Sequence, residues 1–247
     1  MLPTYTDTMI FIRGIWPLRR ATLWYEPAER VRSFLRGFAA VHVYSYAPLD
    51  LPGFRLVKKK QTPVVDVRGK TIEEMLAAFR DTTRNEIRRT FAMPELAFTI
   101  EKPSRELYEF YVAATHSQGR KPQGCGLFRD SQVAVARRGN MILAAVAFIP
   151  AHPVLKVLTI SSLRRESGDP QERNLIGYCT KRLIHELCVR AIYDGYESLD
   201  LAYINLTDPA KRGITDFKMG FGGVIRDEWQ YEKAHWVVHL KRLLHRL

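Results

Sequence analysis

The chain has 247 residues, of which 46% are hydrophobic and 26% charged. That balance is globular and excludes a disordered, collagen-like or fibrous chain. Lysine and arginine total 38 against 26 acidic residues, a net charge of +12, which favours RNA, phospholipid or phosphate-bearing partners over a merely Arg-rich composition.

From the N-terminus, residues 9–25 are apolar and aromatic, broken at Gly14 and Pro17, and predict two short strands. PAERVRSFLRGF predicts a short helix, and AAVHVYSYAPL alternates as a strand. A further strand is expected near 63–67, behind the exposed triplet Lys58, Lys59 and Lys60. Thr71 and Glu74 then write a capping box, and Ile72, Met75, Leu76, Phe79, Thr83 and Ile87 recur at helical spacing, so one helix is expected there. On another of its faces Arg80, Arg84 and Arg88 sit four apart, and with Arg89 they make a basic ridge. A solvated face and a phosphate-facing one both fit that ridge.

Ser104, after Pro103, caps a second helix carrying Leu107, Phe110, Tyr111 and Ala114. A polar loop, HSQGRKPQGCG, leads to a period-two pattern over 131–151, a hairpin turning at Arg138-Gly139-Asn140. VLKVLTISSL is a third strand and RRESGDPQER a loop. A long helix is expected over 174–194, with Leu175, Cys179, Leu183, Leu187 and Ala191 facing inward and Gly195 ending it. ESLDLAYIN is a strand, Asp208 and Pro209 open a helix over 208–220, and VIRDEWQYEK is a strand. The tail AHWVVHLKRLLHRL reads as a basic amphipathic helix that packs on the domain or touches RNA or an anionic membrane. This order predicts an α/β fold, a mixed sheet with helices on both faces.

No run of about 18 apolar residues predicts a membrane helix, and the first residues lack a basic segment followed by an apolar core, so no signal peptide is expected. The three cysteines, Cys125, Cys179 and Cys188, form no CxxC pair, which points to a reducing, cytoplasmic setting. Cys179 and Cys188 fall on a helical face and read as core; Cys125 falls in a loop. His235 and His239 are four apart, with His245 beyond, but no acidic residue stands between them, and no metal is expected.

Local sequences narrow the reading. TPVVDVRGKTIEEMLAAFRDTTRNEIRRT resembles the Thr-Pro strand and Arg-x-x-Ile-Arg-like helix of the FemAB/FemX aminoacyltransferases, a family of the GNAT N-acyltransferase superfamily. AIYDGYESLDLAY resembles that family's helix-Gly-Tyr-x-x-Asp strand, and GITDFKMGFGG its Gly-x-x-x-Phe-Lys-x-x-Phe-Gly signature. The match covers roughly residues 60–233, so the resemblance implies a GNAT-like domain over 61–247 and a shortened N-terminal portion over 1–60. Where the family often has Asp-x-Gly-Gly, this chain has DLAY, with Tyr203 in place of a small residue.

The resemblance further implies that Lys218 meets phosphate or a developing oxyanion in a substrate cleft, with Phe217 packed beneath it. The alternative is a lysine that only complements its helix C-terminus. Donors for a polarised carbonyl are expected from Lys218 and from strand N–H groups around Leu158–Ser161. Tyr203 and Tyr178 are candidates to protonate a leaving group, and Asp200 to bind or deprotonate the attacking amine. Phe217, Arg84, Arg88, Arg89 and Asn205 complete the substrate-binding candidates. No cofactor is expected. The donor that the resemblance and the basic charge favour is aminoacyl-tRNA, and QERNLIGYCTKR lacks the (Arg/Gln)-x-x-Gly-x-(Gly/Ala) turn that binds coenzyme A pyrophosphate in ordinary acetyl-CoA enzymes of the superfamily. The acceptor is an amine-bearing small molecule or peptide. An acyl-CoA or acyl-carrier-protein donor is the first alternative, and a non-catalytic RNA- or membrane-binding module the second.

Overall fold

The stretch Gln132–Arg138 shows how the sequence builds its main layer. Val133 and Val135 are buried among residues on one side, and Ala134 and Ala136 among residues on the other. A half-polar strand has one dry face; this one has two, so helices must cover both. A computed structural model describes residues 10–13, 19–33, 38–122, 125–164 and 166–234. Its elements are β1 (Ile10–Arg13), β2 (Arg20–Trp24), α1 (Ala28–Ser33), β3 (Ala40–Ser45), β4 (Arg55–Asp66), α2 (Ile72–Ala77), α3 (Asp81–Phe91), β5 (Leu96–Glu101), α4 (Arg105–Ser117) and α5 (Cys125–Arg129). There follow β6 (Gln132–Arg138), β7 (Met141–Ala151), β8 (Val154–Ser162), α6 (Pro170–Tyr193), β9 (Ser198–Asp200), a 3-10 turn (Pro209–Lys211), α7 (Arg212–Met219) and β10 (Val224–Ala234).

The chain forms two compact units. One comprises the described residues of Met1–Thr62 and Ile225–Leu247. Its strands run β1–β2–β3–β10–β4, with β2 and β3 parallel and β3 and β10 antiparallel. Its core gathers Ala21, Leu23, Val31, Val41, Val43, Leu51 and Tyr231.

The other unit, Pro63–Val224, takes the end of β4 and runs β4–β9–β8–β7–β6–β5. All neighbours are antiparallel except β8 and β9. This is the mixed α/β, GNAT-like sheet the sequence implied. Helices α2, α3 and α6 cover one face, with Met75, Phe79, Ile87, Cys179, Leu183 and Leu187 packed on Ala134, Val146, Phe148 and Leu155. From α4 and α5, Leu107, Tyr111 and Phe128 cover the other face. Both Cys179 and Cys188 are fully buried, whereas Cys125 is exposed and lies in α5, not in a loop. No helix among the described residues is long and apolar enough to cross a membrane.

The structure corrects four expectations. The helix after Thr71 is two helices: the capping box is present, but Arg80 is extended at ψ 146° and α3 starts afresh at Asp81. The reason is tertiary, since the Arg80 amide donates to the Gly220 carbonyl at 2.9 Å. Arg80 therefore precedes α3 and does not continue a helical ridge with Arg84 and Arg88. The long helix α6 begins at Pro170, four residues early, because Asp169 caps the amides of Gln171 and Glu172 at 2.9 and 3.3 Å. Strand β5 adds an element to the expected order: Leu96, Phe98 and Ile100 alternate, and it is an edge strand with mostly exposed side chains. The last strand, β10, clusters from Ile225 onward with the N-terminal residues. The expected tail helix and its histidines lie outside the described residues.

Candidate active site

Strands β8 and β9 run parallel for three residue pairs, Val154–Ser198, Leu155–Leu199 and Lys156–Asp200. Then β9 ends, while β8 continues to Ser162. From Val157 onward β8 keeps β7 on one side and has no strand on the other among the described residues. A register shift between Ala147 and Phe148 leaves Leu158 as an extra residue here, which bends the strand. The result is a fork, one prong of which is an open strand edge. It includes the Leu158–Ser161 stretch picked out from sequence.

At the base of the fork lies a buried charge cluster. The Lys156 ammonium donates to Asp200 Oδ2 at 2.7 Å, with both side chains almost wholly buried. Asp200 Oδ1 accepts the Ala202 amide at 2.6 Å. That bond helps to hold Ala202 at φ +63°, a left-handed conformation that costs a residue with a Cβ about 1–2 kcal/mol. From α7, Lys218 Nζ donates to the Ala202 and Tyr203 carbonyls at 3.1 and 2.9 Å. The bend after β9 is thus gripped from both sides, and Tyr203, 41% exposed, is displayed on it.

Lys218 is 7% exposed. Burial pulls its ammonium down to about 7; the Asp200 charge opposes that shift, and Lys156 and Arg120 add to it. Near neutral pH its amine is therefore partly uncharged. An uncharged amine has two N–H donors and one lone pair. Two carbonyls match the donors, and the lone pair is left to accept a proton.

Asp200, Tyr203 and Lys218 are thereby brought together, and Asp200 serves as the buried partner of Lys156. Sequence reasoning missed Lys156 and Arg120. A lone lysine inside the apolar run VLKVLTISS was the available signal, since a buried lysine needs a carboxylate. The other candidates fall elsewhere. Tyr178 Oη accepts from Arg89 at 3.0 Å, and the same guanidinium lies 5.6 Å from its ring centre. Arg84 folds back on the carbonyl of Ala77 at 2.6 Å and on Asp81, while Arg88 is exposed. Asn205 Oδ1 accepts from the amides of Thr207 and Asp208 at 3.0 and 3.1 Å and shapes its own loop. Phe217 stacks edge-on against Phe221, which meets Phe79 in the same way, at centroid distances of 5.4 and 5.2 Å.

The glycines of the FKMGFGG segment are explained by close approach. A Cβ on Gly220 would lie 2.7 Å from Thr83 Oγ1, and one on Gly223 would lie 3.2 Å from the Val64 backbone. They let the exit of α7 press on the α2–α3 break and on β4, which fixes where Lys218 enters the fork.

A helix-flanked mixed sheet whose parallel strands part midway gives this unit a GNAT-like fold. Among solved structures, FemX matches over 90% of this chain and 83% of its own, with 11% identity and a TM-score of 0.58. The C-terminal domain of a chain assigned as lysylphosphatidylglycerol synthetase from Agrobacterium fabrum matches over 96% and 83%, with 15% identity and a TM-score of 0.51. L-PGS from Bacillus licheniformis matches over 90% and 79%, with 16% identity and a TM-score of 0.50. The likeness is one of fold. Neither a family model nor a curated protein matches the sequence.

Proposed function

We propose that the chain is an N-acyltransferase that moves an aminoacyl group from aminoacyl-tRNA to an amine of a peptide, a nucleoside-linked peptide or a cell-wall precursor, in the cytoplasm. The observation that carries the reading is the β8–β9 fork, with an open strand edge on one side and the buried Lys218 amine on the other. In this reading the N–H groups of the β8 edge polarise the ester carbonyl. The acceptor nitrogen attacks the carbonyl carbon and the C–N bond forms. Lys218 Nζ takes the proton that the nitrogen loses, the ester C–O bond breaks, and Tyr203 returns a proton to the leaving ribose oxygen. Asp200 and Lys156 act by positioning the bend that carries Tyr203. This changes the part expected of Lys218 from sequence: a lysine whose burial disfavours its charge suits a base better than a cationic oxyanion partner.

Charge and the start of α6 support the choice of donor. The net charge of +12 suits an RNA partner, with Arg88 and Arg89 on the exposed side of α3 as contacts. The first amides of α6 are already taken by the Asp169 carboxylate, which disfavours a pyrophosphate there. Product formation in a coupled assay with amino acid, its synthetase and tRNA is expected to stop on adding ribonuclease. Ribonuclease-insensitive transfer from an acyl-CoA at a matching rate would overturn the tRNA donor.

A further inference from the structure

Phe91, the last residue of α3, is 57% exposed, yet its ring is held in place. The Arg182 guanidinium from α6 lies over one face, 3.5 Å from the ring centre, and the buried His185 meets an edge at 6.0 Å and 84°. Arg182 is itself fixed: it donates to Glu186 and, at 3.4 Å, to Thr90 Oγ1, and it lies 5.1 Å from the Phe98 ring centre. With one face and one edge backed, what Phe91 shows to solvent is its opposite face. Arg88 stands three positions earlier, so the two side chains are neighbours on α3, with Cβ atoms about 5–6 Å apart. Arg88 is exposed and has no carboxylate partner among the described residues. Two acids on the α3–α6 seam, Glu86 and Glu186, are taken by Lys181 and Arg182, so neither offsets Arg88.

We infer that Phe91 and Arg88 bind an unpaired nucleotide of an RNA, the ring stacking on the base and the guanidinium meeting an adjoining phosphate. An unpaired base shows a flat π-face, and an aromatic ring beside a cation is the pairing that takes up a single strand. A ring already clamped on its other face loses little freedom when the base arrives. One open ring is far smaller than the roughly 800 Å² that each partner of a stable protein interface buries, which argues against a protein occupant. The net charge of +12 draws in a polyanion. That this RNA is the acyl donor rests on the reading above; the contact itself does not.

The test is fluorescence anisotropy of a labelled single-stranded RNA of mixed sequence, and of its duplex, with the full chain as wild type, Phe91→Leu, Phe91→Trp, Arg88→Ala and Tyr193→Leu. Phe91→Leu keeps an apolar contact with Arg182 and is expected to weaken the single strand about tenfold, with the salt slope and the duplex affinity unchanged. Arg88→Ala is expected to lower that slope by about 0.7, the share of one phosphate on a single strand. Phe91→Trp is expected to keep the affinity, and its added fluorescence to be quenched by the RNA; it carries the test if the leucine variant does not fold. Tyr193, 75% exposed at the far end of α6, is the control, and its loss should change nothing. Transfer from aminoacyl-tRNA by the wild type, with unchanged single-strand affinity in Phe91→Leu, would overturn the contact and leave the donor standing. Weakened single-strand binding in Phe91→Leu, with no transfer from aminoacyl-tRNA, would support the contact and remove that donor. Equal losses for single strand and duplex, no wild-type binding of the single strand, or a self-association of the chain that Phe91→Leu abolishes would each overturn the inference.

Discussion

Lys218→Met is expected to lower turnover by about 100-fold or more and to abolish a rise in rate with pH centred near 7. The wild-type rate is expected to climb about tenfold between pH 6 and pH 8.5, as the buried amine loses its proton. A cationic oxyanion partner would give the opposite slope, so the direction of the profile separates the two roles. Methionine preserves the buried volume, and a matching stability measurement checks that the fold survives. The sign of that measurement is fixed by linkage. The ordinary value for lysine is 10.5 and the folded value about 7, so the unfolded chain holds more protons between them. Wild-type stability is therefore expected to rise as pH increases from about 7 toward 10.5, with the full penalty of a buried charge remaining below 7. Urea unfolding of wild type and Lys218→Met at pH 6 and pH 9 should show the wild type gaining on the variant at the higher pH. A flat difference, or wild-type turnover in the variant, would remove Lys218 from the chemistry.

Gly222→Ala is expected to destabilise Pro63–Val224 by about 2–5 kcal/mol. The position has φ +69°, and an added Cβ would sit 2.4 Å from the Ala78 carbonyl oxygen. The left-handed backbone accounts for about 1–2 kcal/mol. The remainder comes from pushing apart two backbone segments, neither of which has a flexible side chain to yield. Gly69→Ala is the control: φ is +66° there, but nothing lies within 4 Å of the added atom. It should cost only the backbone share. Equal denaturation midpoints for the two variants would show that the glycine turn does not press on the α2–α3 break.

What the residues reveal before folding depends on whether a contact is local. The hairpin β6–β7 is readable because alternating burial and the turn at Gly139, φ +58°, are both written in consecutive residues. The Ser104 and Asp208 caps are readable for the same reason. The end of the first predicted helix is not, because it is imposed by the carbonyl of Gly220, some 140 positions away. The Lys156–Asp200 pair is likewise invisible: each residue is plain in the sequence, but their register across β8 and β9 is a tertiary fact. The start of α6 is legible in Asp169 followed by Pro170, a helix-start pattern that the apolar spacing from 174 onward does not include. The Phe-Lys-x-x-Phe-Gly motif singles out Lys218 as a candidate, while the two-carbonyl grip on it needs the fold.

The burial of the α6 cysteines has a practical consequence. Packing raises the Cys179 thiol to about 11 and the Cys188 thiol well above its usual range, so neither forms much thiolate near neutral pH. Cys125 is exposed on α5. The native chain is thus already a single-label protein: a maleimide dye should attach at Cys125 without engineering. The two hidden thiols become reagents for opening of the α6 layer, and their labelling rate under native conditions reads how often that helix lifts from the sheet.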